Sequence, residues 1–252
     1  MKTTAFIQKS YNGKSTAVMN LAYAFARFHG KRVVVIDADD KQNTVSQIPT
    51  KRPVRKTLEA LFMERGTAVA DVAEATVWEG VDLIAGTPGL SRVTACLKDR
   101  PDGHLVLRDT IKGADYDLCL IDTSPDWNML TINAMCASDG IIIPISCSYY
   151  SMRELEQTID RYRRVRNVLC HNLALYAIAI VNNDSISKTV CELETKIRER
   201  HPKELCTARV LSHMDVEQAE MARQSLFEYS PRCRAAQRYH VLALEVLRRV
   251  GA

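Results

Sequence analysis

Apolar runs and polar breaks alternate along this chain in the rhythm of an α/β protein. Residues 3–7 form a short apolar run, a tight loop follows, and 17–26 read as an apolar helix. Residues 32–37 then read as a strand buried on both faces, because valine and isoleucine run on without polar alternation. The pattern continues with a short helix at 58–63, a third strand at 81–86, and helices at 90–97 and 105–111. An apolar strand at 116–122 leads to a helix around 130–134, a strand at 137–145 and a long helix at 153–169. A strand at 174–181, a polar helix at 187–200 and a closing core helix at 236–250, whose Val241, Leu242, Leu244, Val246 and Leu247 are expected to cover the sheet, complete the chain. Strands that alternate with helices predict a mostly parallel twisted sheet flanked by helices on both faces. The basic, proline-containing stretch 49–56 reads as a solvated connector.

Candidate chemistry sits at the first strand–helix junction. Gly13-Lys14-Ser15 is the Gly-Lys-[Ser/Thr] ending of a phosphate-binding loop, and it lies between a strand and a helix as that motif requires. There backbone N–H groups wrap the phosphates, the lysine reaches the β and γ oxygens, and the hydroxyl binds Mg²⁺. The helix that follows directs its positive end at the same anion. Asn12, Gly13, Lys14, Ser15 and Thr16 are therefore the nucleotide-binding candidates. The strand ending in Asp122 is a Walker B arrangement, whose carboxylate holds Mg²⁺ opposite Ser15. Asp37, Asp39 and Asp40 crowd the end of the second strand, where open α/β sheets bind ligand, and a bound Mg²⁺ would offset their repulsion.

Together these segments resemble the ParA/MinD family of deviant Walker A P-loop ATPases, most of all the ParA-type partition proteins. Lys9, Gly13, Lys14, Ser15 and Thr16 match the loop pattern Lys-Gly-Gly-x-Gly-Lys-[Ser/Thr]-Thr, with Ser10 and Tyr11 in place of two glycines. Asp37, Asp39 and Asn43 match the segment after the second strand. Tyr116, Asp117, Ile121, Asp122 and Pro125, then Leu130, Asn133 and Ala134, match the segment around the Walker B strand. The resemblance implies a P-loop NTPase fold over residues 1–252, with ATP and Mg²⁺ as cofactors. It implies that Lys9 reaches across a homodimer to the partner's nucleotide, that Asp39 orients the attacking water and shares the metal with Ser15 and Asp122, and that Asn182 contacts adenine. It also places Arg234 where chromosomal ParA proteins use an arginine for non-specific DNA binding, with Arg232 beside it. A second such arginine position is Ser212 here. The arginines of the long helix, Arg161 and Arg164 among them, read either as phosphate contacts or as a solvated face.

The implied function is a slow partition ATPase. ATP closes the dimer, the dimer binds DNA non-specifically, and a ParB-like partner triggers hydrolysis. Two other readings stand beside it. One is a positioning ATPase with a cargo other than DNA. The other is a ParA-like scaffold that binds nucleotide poorly, because Tyr11 and Ser10 lack the freedom of glycine. No segment corresponds to the helix-turn-helix arm of some plasmid relatives, so site-specific DNA reading is not expected.

Composition changes this picture little. The 252 residues are 46% hydrophobic and 25% charged, enough for one good-sized core. A formal net charge of +4 suits an anionic partner without identifying one. The eight cysteines show no Cys-x-x-Cys pairing and read as reduced residues, not as a metal site or disulfide frame. With no secretory h-region and no apolar run of bilayer length, a cytoplasmic, nucleoid-associated protein with no membrane partner is expected.

Overall fold

The computed structural model describes residues 1–9, 13–146, 151–183 and 188–252, with side chains throughout except at 151, 182, 183, 188 and 189. Ser10, Tyr11 and Asn12, and the side chain of Asn182, lie outside the described residues. The first half runs β1 (Lys2–Phe6), α1 (Lys14–His29), β2 (Val33–Ala38), α2 (Leu58–Met63), α3 (Val69–Val72), β3 (Glu74–Ala75), β4 (Val81–Ile84), α4 (Leu90–Lys98) and α5 (Val106–Ile111). The second half runs β5 (Leu118–Thr123), α6 (Met129–Cys136), β6 (Gly140–Ile145), α7 (Ser151–Val168), β7 (Ala174–Asn183), α8 (Lys188–Arg200), β8 (Leu205–Leu211), α9 (Met214–Met221), α10 (Leu226–Tyr229) and α11 (Arg234–Val250).

One eight-stranded sheet in the order β3-β4-β2-β5-β1-β6-β7-β8 carries the fold. All its pairings are parallel except β3–β4. Strand residues divide by parity. Val33 and Val35 of β2 face one core with α1 and α11, while Val34 and Ile36 face the other with α2, α4 and α7. Apolar side chains on both faces are what a parallel sheet covered by helices demands. The expected architecture is therefore present.

Several details differ from the sequence expectation. β2 starts at Val33 and runs on to Ala38, because Ala38 still pairs with Thr123 of β5. β3, two residues long, is too short to leave a pattern, so the strand at Val81 is the fourth. β8 went unpredicted, although buried Cys206, Ala208 and Val210 alternate with more exposed Thr207 and Arg209 as an edge strand should. β7 runs to Asn183, which puts Asn182 on the strand and not beyond it. In α11 the buried stripe is Ala235, Tyr239, Leu242, Ala243, Val246 and Val250, at helical spacing. Val241 and Leu244, expected in the core, fall off that stripe and are exposed. Among the described residues, no helix is long and apolar enough to cross a membrane.

Candidate functional site

The site lies at the carboxyl ends of the central strands. β1, β2 and β5 are neighbours, and the register aligns Asp122 with both Phe6 and Asp37. The loop after β1 therefore opens beside the ends of β2 and β5. Gly13 ends that loop in the left-handed region (φ 72°), a conformation glycine adopts without the clash a Cβ brings, and is the N-cap of α1. Glycine has no side chain to cap the helix, and the first N–H groups of α1 are directed at this loop, the end of a helix that attracts an anion.

Lys14 and Ser15 converge on Asp122. Lys14 is buried, with Nζ 3.7 Å from Asp122 Oδ1. The Ser15 hydroxyl donates to Asp122 Oδ2 at 2.5 Å. Burial pushes Asp122 above the usual carboxylate range, Lys14 and the Ser15 hydroxyl pull it down, and Asp39 pushes it up again. Asp39 closes a turn, its Oδ1 accepting from the backbone N–H groups of Lys41 (2.9 Å) and Gln42 (3.3 Å). The structure thus brings together Gly13, Lys14, Ser15, Asp39 and Asp122.

Asp37 has a different role from its neighbours. Its Oδ2 accepts from Ser46 N–H (2.8 Å) and Oγ–H (2.6 Å), and its Oδ1 accepts from Asp39 N–H (3.1 Å). Burial, and then the Asp122 charge, push it up to about 7. Both its oxygens are used in holding the loop. By contrast, Asp39 Oδ2 and Asp122 Oδ1 are buried oxygens with no hydrogen-bond partner among the described residues. Buried polar atoms in native folds are nearly always satisfied. Two orphaned carboxylate oxygens beside a hydroxyl and an ammonium form the hard, oxygen-rich donor set that suits Mg²⁺ with a phosphate. The residues present fit that group.

Other parts of the site left weaker signals in the sequence. Gln8, at the front of the loop, is buried against α7, where its Oε1 accepts from Thr158 Oγ1 (2.9 Å) and Lys9 N–H (3.0 Å). Asp40 lies 3.4 Å from Asn128 Nδ2, and Asn128 caps α6 through its Oδ1, so the acidic loop is tied to that helix. Thr16 donates to Glu220 of α9, which burial pushes above the ordinary glutamate range. Gly13, Thr16, Ser212, His213, Glu220 and Tyr239 border a cavity of about 150 Å³ beside the loop. A capping box would have flagged Ser225 and Glu228 in the sequence, but nothing marked Glu220 or Ser46. A wider cleft, about 500 Å³, lies at the amino ends of the strands around Arg32, Asp82 and Tyr116 and includes none of the predicted site residues.

The remaining candidates lie apart. Lys9 is exposed, with Nζ 3.5 Å from Gln157 Oε1 on α7. Arg161 rests over the Trp127 ring at 5.1 Å and is half-buried, while Arg164 is exposed. Arg232 and Arg234 are exposed at the start of α11. Because α7 and α11 cover opposite faces of the sheet, the four arginines do not form one patch.

Comparison with known proteins agrees with this fold. Residues 1–175 match a family model described as an AAA domain. The chain is 28% identical over 246 residues to the chromosome partitioning protein ParA of Caulobacter vibrioides, covering 96% of this chain and 92% of that protein. It is 27% identical over 243 residues to the chromosome-partitioning ATPase Soj of Thermus thermophilus, covering 96% and 94%. An ATP complex of a McdA variant from Cyanothece has a TM-score of 0.83 at 22% identity, covering 98% of this chain and 96% of that one. At that identity the likeness is one of fold.

Proposed function

Because this chain belongs to the ParA/MinD family of P-loop ATPases, we propose that it is a ParA-type partition ATPase whose residues 1–252 act as one ATPase unit. The observation that carries the reading is the pair of orphaned oxygens, Asp39 Oδ2 and Asp122 Oδ1, buried next to Lys14 and Ser15. Ser15 and Asp122, with Asp39, are the residues that hold Mg²⁺. Bound Mg²⁺ with ATP supplies the phosphoryl group and the charge that neutralises it. Lys14 and the first N–H groups of α1 bind the phosphate oxygens. Asp39 orients the attacking water. Lys9, exposed and away from the buried carboxylates, reaches the nucleotide of a second subunit. Phosphoryl transfer asks the protein for position and electrostatics, and these residues supply both.

On this reading the ATP-bound homodimer binds DNA through backbone phosphates, using Arg234 and Arg232, with Arg161 and Arg164 as a second surface. A ParB-like protein triggers hydrolysis and release, in the cytoplasm and on the nucleoid. Arg234 stands in the first turn of α11, where the helix dipole disfavours a cation, a placement that suits an anion arriving there. Titration with a fluorescent ATP analogue tests the nucleotide step. Saturable, Mg²⁺-dependent binding with a shift from monomer to dimer mass supports the motor. No binding at millimolar nucleotide leaves the scaffold reading suggested by Ser10 and Tyr11. Binding and dimerisation without DNA affinity leaves a positioning ATPase with another cargo.

A further inference from the structure

Two loops that are far apart in sequence bring three metal-binding side chains together outside the carboxylate site. His213 follows β8, Asp215 is in the first turn of α9, and Cys233 precedes α11. One ligand atom from each lies within 4.8 Å of the others. His213 Nδ1 is 3.5 Å from Asp215 Oδ1. All three residues are half-buried, so the cluster is held in place and still open to solvent on one side.

Local structure fixes each of them. His213 is the N-cap of α9, its Nδ1 accepting from Asp215 N–H at 3.3 Å. Cys233 is the N-cap of α11, its Sγ accepting from Ala236 N–H at 3.3 Å. The thiolate that binds metal can keep this backbone N–H on its sulfur. Thiolate, imidazole and carboxylate are the donors of zinc sites. The soft sulfur and the nitrogen select against the hard ions Mg²⁺ and Ca²⁺. Helix N-termini disfavour a bare cation, but a thiolate and a carboxylate bring two negative charges, so Zn²⁺ with a neutral imidazole leaves the site uncharged.

We propose that His213, Asp215 and Cys233 form a three-ligand Zn²⁺ site with a fourth, open position, separate from the Mg²⁺ site of the phosphate loop. Metal–ligand bonds of about 2.0–2.3 Å in a tetrahedron put ligand atoms about 3.3–3.8 Å apart. His213 and Asp215 already have that spacing, and Cys233 Sγ, within 4.8 Å of both, closes by at most about 1.5 Å to join them. As the ion binds, the Cys233 thiol releases its proton to solvent, and the lone pair of His213 Nδ1 passes from the Asp215 N–H to the ion. His213 also borders the cavity that Gly13 and Thr16 line, so the ion would tie the loops at 211–215 and 230–233 together at the edge of the nucleotide cleft.

Co²⁺ is the probe, titrated into the reduced, metal-free full chain and then displaced with Zn²⁺. The expected result is one equivalent bound, with a thiolate-to-cobalt charge-transfer band and tetrahedral d–d bands that disappear on adding Zn²⁺. Cys233→Ser abolishes the charge-transfer band and weakens binding at least tenfold. Serine is itself a good N-cap, so this variant keeps α11 capped and folded. His213→Ala weakens binding similarly, and Cys96→Ser, at an exposed cysteine elsewhere, leaves the spectrum unchanged. The proposal is overturned if the parent shows no thiolate band at several equivalents of Co²⁺, or if Cys233→Ser keeps the parental band.

Discussion

Asp37 sets a pH dependence of stability that can be worked from its surroundings. It is fully buried at the end of β2, and burial with the neighbouring Asp122 charge lifts it from 3.8 to about 7. The folded state therefore holds a proton that the unfolded chain has already lost between about pH 4 and about pH 7. The sign follows directly. Stability associated with protonated Asp37 is full below about pH 4, falls as pH rises, and stops falling near pH 7. At 1.36 kcal/mol per tenfold change in proton affinity, the whole range is about 4 kcal/mol, and the part between about pH 5.5 and about pH 7.5 is about 2 kcal/mol. With an unfolding entropy of about 2.1 cal/mol/K per residue, that interval corresponds to a fall in Tm of about 4 °C for the nucleotide-free protein. The matching perturbation is Asp37→Asn. The amide keeps an acceptor for Ser46 and loses the one serving Asp39 N–H, a pH-independent cost of about 1 kcal/mol. Thermal unfolding followed by circular dichroism across this range should show the variant's advantage over the parent widening by about 2 kcal/mol and levelling off above about pH 7. Parallel curves for the two proteins, or a parental Tm that rises through this interval more than the variant's, would refute the reasoning.

Lys14→Met keeps the buried stem and removes the ammonium. At 3.7 Å from Asp122 that charge interacts by about 4 kcal/mol at an effective dielectric constant of about 20, and affinity for a fluorescent ATP analogue should fall at least ~100-fold; a change under threefold would remove Lys14 from the phosphate site. Gly86→Ala would put a Cβ 2.3 Å from the Asp37 carbonyl oxygen, so denaturant unfolding should register a loss of about 1–3 kcal/mol. Ser225→Ala breaks the capping box with Glu228 at α10 and should cost about 1 kcal/mol in the same assay. Arg234→Ala should weaken binding to any duplex about equally and lower the salt slope by about 1; an unchanged slope, with a reduced one in Arg164→Ala, would move the DNA surface to α7.

Much of this protein was legible without its structure, because its signals are local. The uninterrupted valine and isoleucine of β2 and β5 can only be strands covered on both faces, and Gly13-Lys14-Ser15 carries its chemistry within three residues. The carboxylates Asp39 and Asp122 were legible for the same reason, since Asp122 closes an apolar run and Asp39 lies just past another. β3 failed because two residues are too short to impose a period, and β8 was missed although its alternation of buried and exposed residues is present. Burial by side of helix also failed where apolar residues occur on the solvent face, as Val241 and Leu244 do. The division of labour among the acids was beyond any local pattern. Ser46 satisfies Asp37, while Asp39 and Asp122 each keep one oxygen without a hydrogen bond among the described residues, a difference that arises only once the loop after β2 folds back beside β5. Cysteine spacing gave no hint of the cluster at Cys233, because its companions are 18 and 20 positions away in the chain. Local sequence determines which segments bury and which turn. Side chains that meet across helix caps and strand ends do so through packing of the whole sheet, and their chemistry exists only once that packing is complete.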